Sequence, residues 1–364
     1  MTAGGAIRVV LAGGGTGGHV IPAIAVAQEV TRRGGEARFV GTSDRLEARL
    51  VPEAGYEIDF IRVKPLAGGG PLKAAAGLLH APFAVARSRL VLKAIDPHVV
   101  MGVGGYVAGP VVLAARLMGL PTALLEQNAT VGLTNKILAR VVKRAFVTYE
   151  ATSGDFPAGR ALQTGNPVKR SILEASEKAK PAADQFRILV MGGSQGALTI
   201  DRRVPEAMRI AGFGGRVTVL HQCGKDRQDE VKEAYGEAGI FARVVDFIDD
   251  TASAFLETDL VVARSGATTV SELTVMGLPA VFLPYPHHAD RQQEKNAAPM
   301  AAKGAAVVLD EKQTDAADLA AAMKSLVDDP ERVRLAGEAS RSLGRPDAAV
   351  AIVDSLEDLV GGSG

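Results

Sequence analysis

Val9-Val10-Leu11-Ala12-Gly13-Gly14-Gly15-Thr16-Gly17-Gly18-His19 is the stretch whose reading decides the fold. The β-branched run over 7–12 reads as a buried strand, and the five glycines with Thr16 read as a tight loop. From Ile21 the apolar residues open a helix, with Pro22 expected in its first turn, where a missing N–H is tolerated. A glycine loop between strand and helix leaves backbone N–H groups bare where the helix dipole is positive. That is an anion site, most naturally for a phosphate. Gly13, Gly15 and Gly18 also satisfy G-x-G-x-x-G, the dinucleotide pattern, which calls for an acid near the end of the second strand. Here the second strand, over 37–40, runs into Gly41-Thr42-Ser43, and the acid comes only at Asp44. A tight turn in an α/β sheet is the plainer reading of the loop. His19 argues against a turn alone, because a ring that titrates near neutrality sits beside the anion site.

The theme then repeats. Strands are expected at 7–12, 36–41, 99–103, 122–126 and 144–148 with helices between them, a doubly wound parallel sheet. The pattern pauses near Thr164-Gly165-Asn166-Pro167, and the polar, proline-bearing stretch 174–185 has loop composition. A strand at 186–191 then leads into a second glycine loop, Gly192-Gly193-Ser194-Gln195-Gly196-Ala197, with further strands at 216–220, 242–246, 259–263, 279–283 and 305–309. The fold expected is α/β, with two Rossmann-like domains, 1–165 and 166–344, facing across a cleft. A helical stretch at about 345–361 is expected to pack back on the first domain. Ligands of open α/β sheets sit beyond the carboxyl ends of the strands.

Composition bounds the class. A chain of 364 residues suits two domains, and 47% hydrophobic residues with only 4% aromatics give cores of Ala, Val, Leu and Ile. The single cysteine, Cys223, excludes an internal disulfide and fits a reducing compartment, with a core-filling role expected for it. No basic segment followed by a long apolar core opens the chain, so no secretory leader is expected. The long uncharged run 97–115 holds four glycines and Pro110 besides Pro97, which suits strand, loop and helix rather than a membrane span. Charge is uneven: residues 1–165 carry 18 Lys and Arg against 11 Asp and Glu, and residues 166–364 carry 23 against 30. A basic first half points to an anionic partner; a dipolar soluble protein is the alternative.

Three further stretches carry chemistry. Val103-Gly104-Gly105-Tyr106-Val107-Ala108-Gly109-Pro110 is a third glycine loop after a strand, and three such loops suggest ligands with several phosphates. In Arg264-Ser265-Gly266-Ala267-Thr268-Thr269-Val270-Ser271-Glu272, Ser265 or Thr268 can cap the next helix, with Ser271 or Glu272 closing a box. Glu272 can instead accept two hydrogen bonds from a ribose diol. In Pro284-Tyr285-Pro286-His287-His288-Ala289-Asp290-Arg291-Gln292-Gln293, the acid and the glutamines offer the mixed donors and acceptors that sugar hydroxyls need. Adjacent His287 and His288 point apart and lack carboxylate spacing, so no metal site is expected there.

Taken jointly, Gly14-Gly15-Thr16-Gly17-Gly18-His19, Gly104-Gly105-Tyr106 with Gly109-Pro110, Glu126-Gln127-Asn128, Gly165-Asn166-Pro167-Val168, the 192–197 loop, and Arg264-Ser265-Gly266-Ala267 with Ser271-Glu272 closely resemble the MurG family. Gly41-Thr42 and the stretch 47–52 fit as well, and the match runs to about Asn296. These are bacterial UDP-N-acetylglucosamine transferases acting on undecaprenyl-pyrophosphoryl-MurNAc-pentapeptide. The resemblance implies the two-domain GT-B glycosyltransferase fold. It also implies inverting transfer of GlcNAc from UDP-GlcNAc to the C4 hydroxyl of the MurNAc of lipid I, giving lipid II for peptidoglycan. It places Thr16, Gly17 and Gly18 near the donor sugar and phosphates, Asn128 by the GlcNAc, Ser194 on a diphosphate oxygen and Ile248 on the uracil through its backbone. Ala267, Thr268, Thr269, Val270 and Ser271 form the phosphate-facing helix start, Glu272 meets the ribose, and Gln293 with Gln292 meets the GlcNAc hydroxyls. Where many members carry Arg after Gly-Asn-Pro-Val, this chain has Lys169 and then Arg170, a point charge in place of a fork.

Fixed N–H groups at Ser194 and at the helix start after Arg264 would face the charge that grows on the departing UDP, with each donor worth roughly 3–4 kcal/mol. They take the place of a cation, so neither metal nor cofactor is expected. His19 is the candidate base for the acceptor hydroxyl; a role as substrate contact or loop orienter stands beside it almost evenly. The acceptor pyrophosphate is expected on Gly14, Gly15, Gly104 and Gly105 with Tyr106 alongside. No acid falls between Asp59 and Asp96, while Lys73, Arg87 and other cations alternate with Leu79, Phe83 and other apolar residues, so 72–93 can form a basic amphipathic membrane surface. A helix packed on its sheet is the alternative and leaves the missing acids unexplained. The expected partners are UDP-GlcNAc, lipid I, an anionic membrane surface and cell-wall and division proteins, not nucleic acid. The expected place is the cytoplasmic face of the bacterial inner membrane, as a peripheral protein. Three rivals are a UDP-sugar 2-epimerase of the same architecture, an NAD-type oxidoreductase and a non-catalytic nucleotide-binding partner.

Overall fold

The computed structural model describes residues 6–63, 70–193, 196–287 and 290–362, and the side chains of all these but 70–80. The chain divides into two compact units: Met1–Lys169 together with Pro346–Gly364, and Arg170–Arg345.

The first unit is built on the strands β1 (Arg8–Gly13), β2 (Glu36–Gly41), β3 (Ile58–Phe60), β4 (Val99–Gly104), β5 (Thr122–Glu126), β6 (Arg144–Val147) and β7 (Ala161–Gln163). They form one seven-stranded sheet in the order β3-β2-β1-β4-β5-β6-β7, with every pairing parallel. The three-residue strands β3 and β7, not expected from the sequence, lie at the two edges, and the polar Asp59 and Gln163 interrupt their apolar runs. Parallel strands covered on both faces read as continuous apolar runs, and Val9, Val10, Leu11 and Ala12 are all fully buried. Val9 and Leu11 belong to the core on one face, Val10 and Ala12 to the core on the other.

The helix Gly17–Arg32 starts four residues before Ile21, so Pro22 falls in the second turn rather than the first and cannot bond the Gly18 carbonyl. This helix is buried nearly all round, with Val20, Ala23, Ile24, Val26, Ala27 and Val30 inside. The second cover is the chain's last helix, Ala348–Gly361, whose Ile352, Val353 and Leu356 join the same core. Arg33 fixes the packing from outside, reaching Asp354 at 2.6 Å, Glu357 at 3.0 Å and the Val350 carbonyl at 3.3 Å.

The second unit repeats the plan with β8 (Phe186–Met191), β9 (Val217–Gln222), β10 (Phe241–Val245), β11 (Leu260–Ala263), β12 (Ala280–Phe282) and β13 (Ala306–Val308) in the order β10-β9-β8-β11-β12-β13, again all parallel. Among the described residues no helix is long and apolar enough to cross a membrane.

Ile352→Ala should lower the unfolding free energy by about 2–5 kcal/mol, because the side chain is fully buried and its cavity cannot close without moving two helices. Urea unfolding followed by circular dichroism measures it, and a loss under about 1 kcal/mol would mean that the last helix is not part of this core.

Candidate active site

In the first unit the site begins where β1 and β4 end. Their register shifts between Ala12 and Gly13, and Gly13 pairs with Gly104. A Cβ on Gly13 would strike the Gly104 carbonyl, and one on Gly105 would lie 2.5 Å from the Gly14 carbonyl. The Gly14 N–H donates to the Gly104 carbonyl at 3.3 Å. The two glycine loops are therefore packed on each other.

His19 lies in the first turn of the helix Gly17–Arg32 and folds back on the loop, its Nδ1 3.1 Å from the Gly14 carbonyl. A carbonyl oxygen only accepts, so Nδ1 carries the proton and Nε2 keeps its lone pair. Burial lowers the imidazole's pKa below its ordinary value, against the opposing pull of the Gly14 carbonyl, Glu126 and Glu47. The ring is thus neutral near pH 7. A Cβ on Gly104, which sits at φ +100°, would lie 2.7 Å from the ring's Nε2.

Two buried carboxylates brace these loops. Glu47, 1% exposed, accepts the Gly15 N–H at 2.8 Å, the Thr42 N–H at 3.1 Å and the Thr42 hydroxyl at 2.8 Å. Glu126 accepts the Asn128 N–H at 3.1 Å, the Gly132 N–H at 2.9 Å and the Asn135 amide at 2.9 Å. The bare amides expected at Gly14 and Gly15 are therefore not bare: one bonds Gly104, the other Glu47. The anion-facing donors lie one step on. The helix cap, Thr16, makes no side-chain cap bond, and the first-turn amides of Gly17 and Gly18 have no acceptor within the helix. Thr16 is exposed and Tyr106 half-exposed, at 48%. Lys169 is partly buried, while Arg170 is exposed and pairs with Glu174 at 2.7 Å.

The basic stretch forms the helix Gly70–Ile95. Ala84, Ser88, Val91, Leu92 and Ile95 face inward, and Phe83, 75% exposed, and Leu90, 60% exposed, face outward with Arg87 one turn from Phe83. Packing on the fold and an outward basic-apolar face thus coexist on one helix. The side chains of Lys73 and Leu79 lie outside the described residues.

In the second unit Ser194 lies outside the described residues, but its loop is anchored on both sides. The Gly196 N–H closes the turn onto the Gly193 carbonyl at 3.0 Å. Gln222, buried at the end of β9, donates from Nε2 to the Gly193 carbonyl at 3.0 Å and accepts the Ile248 N–H on Oε1 at 3.0 Å. The Ile248 N–H is therefore occupied, and of the backbone groups expected to meet the uracil its carbonyl is the one that remains. Gln222 escaped the sequence reading, although a polar pair, His221-Gln222, closing a buried strand was a visible signal.

The helix Ala267–Met276 starts at Gly266 with no side-chain cap. The capping box expected there does not form: the Ser265 hydroxyl donates to the Gln293 carbonyl at 2.8 Å, and the Ser271 hydroxyl donates back to the Ala267 carbonyl at 2.9 Å. The Thr268 hydroxyl is buried with no partner among the described residues, and Thr269 and Val270 complete the open first turn. Glu272 is buried one turn further on. Arg264 ties the preceding loop down through the Leu283 carbonyl at 2.7 Å and an ion pair with Glu311. Gln293 accepts the Tyr285 N–H on Oε1 at 2.9 Å, so its amide nitrogen is the end left for a hydroxyl; Gln292 is partly buried beside it.

The glycosyltransferase family 28 N-terminal domain matches residues 9–147, and the glycosyltransferase family 28 C-terminal domain matches residues 187–352. A UDP-N-acetylglucosamine--N-acetylmuramyl-(pentapeptide) pyrophosphoryl-undecaprenol N-acetylglucosamine transferase of Geobacter sulfurreducens is 42% identical over 96% of this chain and 98% of the relative. The crystal structure of Acinetobacter baumannii MurG superposes with a TM-score of 0.77 at 30% identity, covering 97% of this chain and 99% of that one. A UDP-GlcNAc 2-epimerase from Neisseria meningitidis, bound to UDP-GlcNAc, superposes with a TM-score of 0.68 at 13% identity over 96% of this chain and 99% of that one, a likeness of fold alone.

Gly104→Ala should push the His19 ring out of its pocket. Its titration, followed by NMR, should then move up toward the ordinary histidine value, and the protein should lose about 1–3 kcal/mol from the crowding and the positive φ. An unmoved His19 titration would show that the ring is not seated against Gly104.

Proposed function

The chain belongs to glycosyltransferase family 28, and from that premise we propose how its residues carry out the reaction. The protein is an inverting UDP-GlcNAc transferase that adds GlcNAc to the MurNAc of lipid I, the pentapeptide pyrophosphoryl-undecaprenol acceptor, and forms lipid II. A 2-epimerase shares the architecture but not the sequence.

The donor half-site is on the second unit. The uncapped start of the helix Ala267–Met276 offers free amides and a positive dipole end to the diphosphate, with Ser194 on the glycine loop adding a donor. Glu272 binds the ribose hydroxyls, the Ile248 carbonyl the uracil, and the Gln292 and Gln293 amides the GlcNAc. As the anomeric C–O bond breaks, negative charge collects on the β-phosphate oxygens, and dipoles fixed beforehand stabilise it without reorganising. Lys169, at the end of the first unit, is proposed as a donor-binding residue that offers phosphate a point charge.

The acceptor half-site is on the first unit. The observation that carries its chemistry is the contact of His19 Nδ1 with the Gly14 carbonyl, which calls for a proton on Nδ1 and leaves Nε2 as the proton acceptor. Nε2 takes the proton of the C4 hydroxyl as that oxygen attacks. The amides of Gly17 and Gly18, with Thr16 and Asn128, serve the sugar and phosphates. Tyr106, exposed beside Gly104 and Gly105, flanks the acceptor pyrophosphate. Phe83, Leu90 and Arg87 on the outer face of the helix Gly70–Ile95 bring this unit to an anionic bilayer, as a peripheral protein on the cytoplasmic face, where lipid I and division proteins would meet it.

Label from UDP-[14C]GlcNAc should enter the lipid phase with a short-chain lipid I analogue. His19→Ala should lower turnover about 10²–10⁴-fold, and a loss under about tenfold would remove His19 from the role of base. Glu272→Ala should raise the KM for UDP-GlcNAc by about 10–100-fold, the worth of a charge-assisted hydrogen bond. Phe83→Asp with Arg87→Glu should weaken binding to anionic vesicles about tenfold or more in a sedimentation assay, at about 1 kcal/mol per cation. Unchanged vesicle binding would move the docking surface elsewhere.

A further inference from the structure

The carbonyl that accepts from His19 and the amide that donates to Glu47 belong to one peptide unit, Gly14–Gly15. On one side of that plane the His19 Nδ1–H reaches the Gly14 oxygen at 3.1 Å; on the other the Gly15 N–H reaches the Glu47 Oε2 at 2.8 Å. A hydrogen bond from the amide N–H to an anion polarises the whole peptide and makes its oxygen a stronger acceptor, since linked hydrogen bonds reinforce one another. Serine hydrolases place a carboxylate directly on the imidazole N–H to fix its tautomer and stabilise the imidazolium. Here a backbone peptide stands between the two groups.

We propose that Glu47 is a positioning residue of the transfer reaction, acting on His19 through the Gly14–Gly15 peptide, so that carboxylate, peptide and imidazole work as one relay. The inference rests on the reading of His19 as the base. The step it serves is balanced. The C4 oxygen forms its bond to the anomeric carbon, the anomeric C–O bond breaks with its electron pair leaving on UDP, and the hydroxyl proton goes to Nε2. Nδ1 keeps its own proton throughout, so the ring becomes an imidazolium whose charge the Gly14 oxygen, and Glu47 behind it, stabilise.

The local packing is arranged for this contact. A Cβ on Gly14 would strike the Glu47 carboxylate, and one on Gly41 would lie 2.7 Å from its Cγ. Both Thr42 donors occupy Oε1, which leaves Oε2 for Gly15. Glu126 is the other charged group facing the ring, but its described hydrogen bonds go to Asn128, Gly132 and Asn135, so it acts on His19 through space.

The test is the pH dependence of kcat/KM for the lipid I analogue in the full chain. Glu47→Gln should lower kcat about 10–100-fold with both KM values within about threefold, and should move the acid limb down by about half a pH unit or more, because a weaker partner behind the peptide makes the ring less basic. Glu47→Asp keeps the charge but draws it back from the Gly15 N–H, and should behave like Glu47→Gln. A Glu47→Asp enzyme with the wild-type profile would overturn the relay in favour of plain charge. If His19→Ala loses less than about tenfold, the base reading fails; if it loses more and the Glu47→Gln limb stays in place, only the relay fails. Thermal unfolding identifies variants that do not fold. The wild-type chain labelled with 15N-histidine then decides: Nδ1 protonated and Nε2 bare in the neutral ring is expected, and an Nε2–H tautomer would overturn the inference.

Discussion

One peptide plane, Gly14–Gly15, holds together the chemistry of the first unit. Its oxygen fixes the His19 tautomer, and its N–H is fixed by Glu47. Three glycines follow from that arrangement. Gly14 and Gly41 are bare because the carboxylate lies against them, and Gly104 because the imidazole does. The glycine richness of the loop, which suggests a cradle of free amides for phosphate, is here mainly a matter of close approach between backbone and buried side chains. Two of the amides expected to hold phosphate have protein acceptors instead.

The second unit solves a similar problem with a neutral side chain. Gln222 ties the glycine loop after β8 to the loop after β10, one amide end on each. Its donor and acceptor ends are complementary to a carbonyl and an N–H, so a single residue sets the spacing of two loops without adding charge. The helix start at Gly266 is treated in the opposite way. Ser265, the obvious cap, turns to Gln293, and the helix is left open. An uncapped, partly buried helix start leaves backbone donors unmatched, and such donors persist when a ligand satisfies them.

The architecture was legible because parallel strands covered on both faces are apolar throughout, and because each glycine loop marks a strand-to-helix turn. The edge strands β3 and β7 were not, since their three residues are partly exposed and include the polar Asp59 and Gln163, whereas the equally short β12 and β13 are wholly apolar. The start of the helix after β1 was set too late, because Pro22 looked like a first-turn residue when the helix already begins at Gly17. At the site, His19 and Glu272 could be singled out from local context. Glu47 and Gln222 could not be given roles, because Gly15, which links Glu47 to the site, lies 32 residues away, and the Gln222 partners Gly193 and Ile248 lie 29 and 26 away, so only the fold brings them together. The capping box failed for the same reason: Ser265 had a tertiary partner that the local pattern cannot contain.

Glu47 and Glu126, two of the buried carboxylates of the first unit, lie in the basic half of the chain, beside a site proposed to receive a pyrophosphate. Electrostatically they oppose that ligand, so anion binding cannot be their purpose. Among the described residues Glu47 is matched by three hydrogen-bond donors and Glu126 by four, which offsets the cost of burying a charge. What they favour is positive charge close by, and in the proposed reaction the His19 ring is the group that acquires it. Burial alone keeps that ring neutral and ready to accept a proton, but it also weakens it as a base. The carboxylates offset part of that loss without restoring charge in the resting state, and in the proposed reaction the phosphate is left to the first-turn amides at Gly17 and Gly18, where no carboxylate is bonded among the described residues.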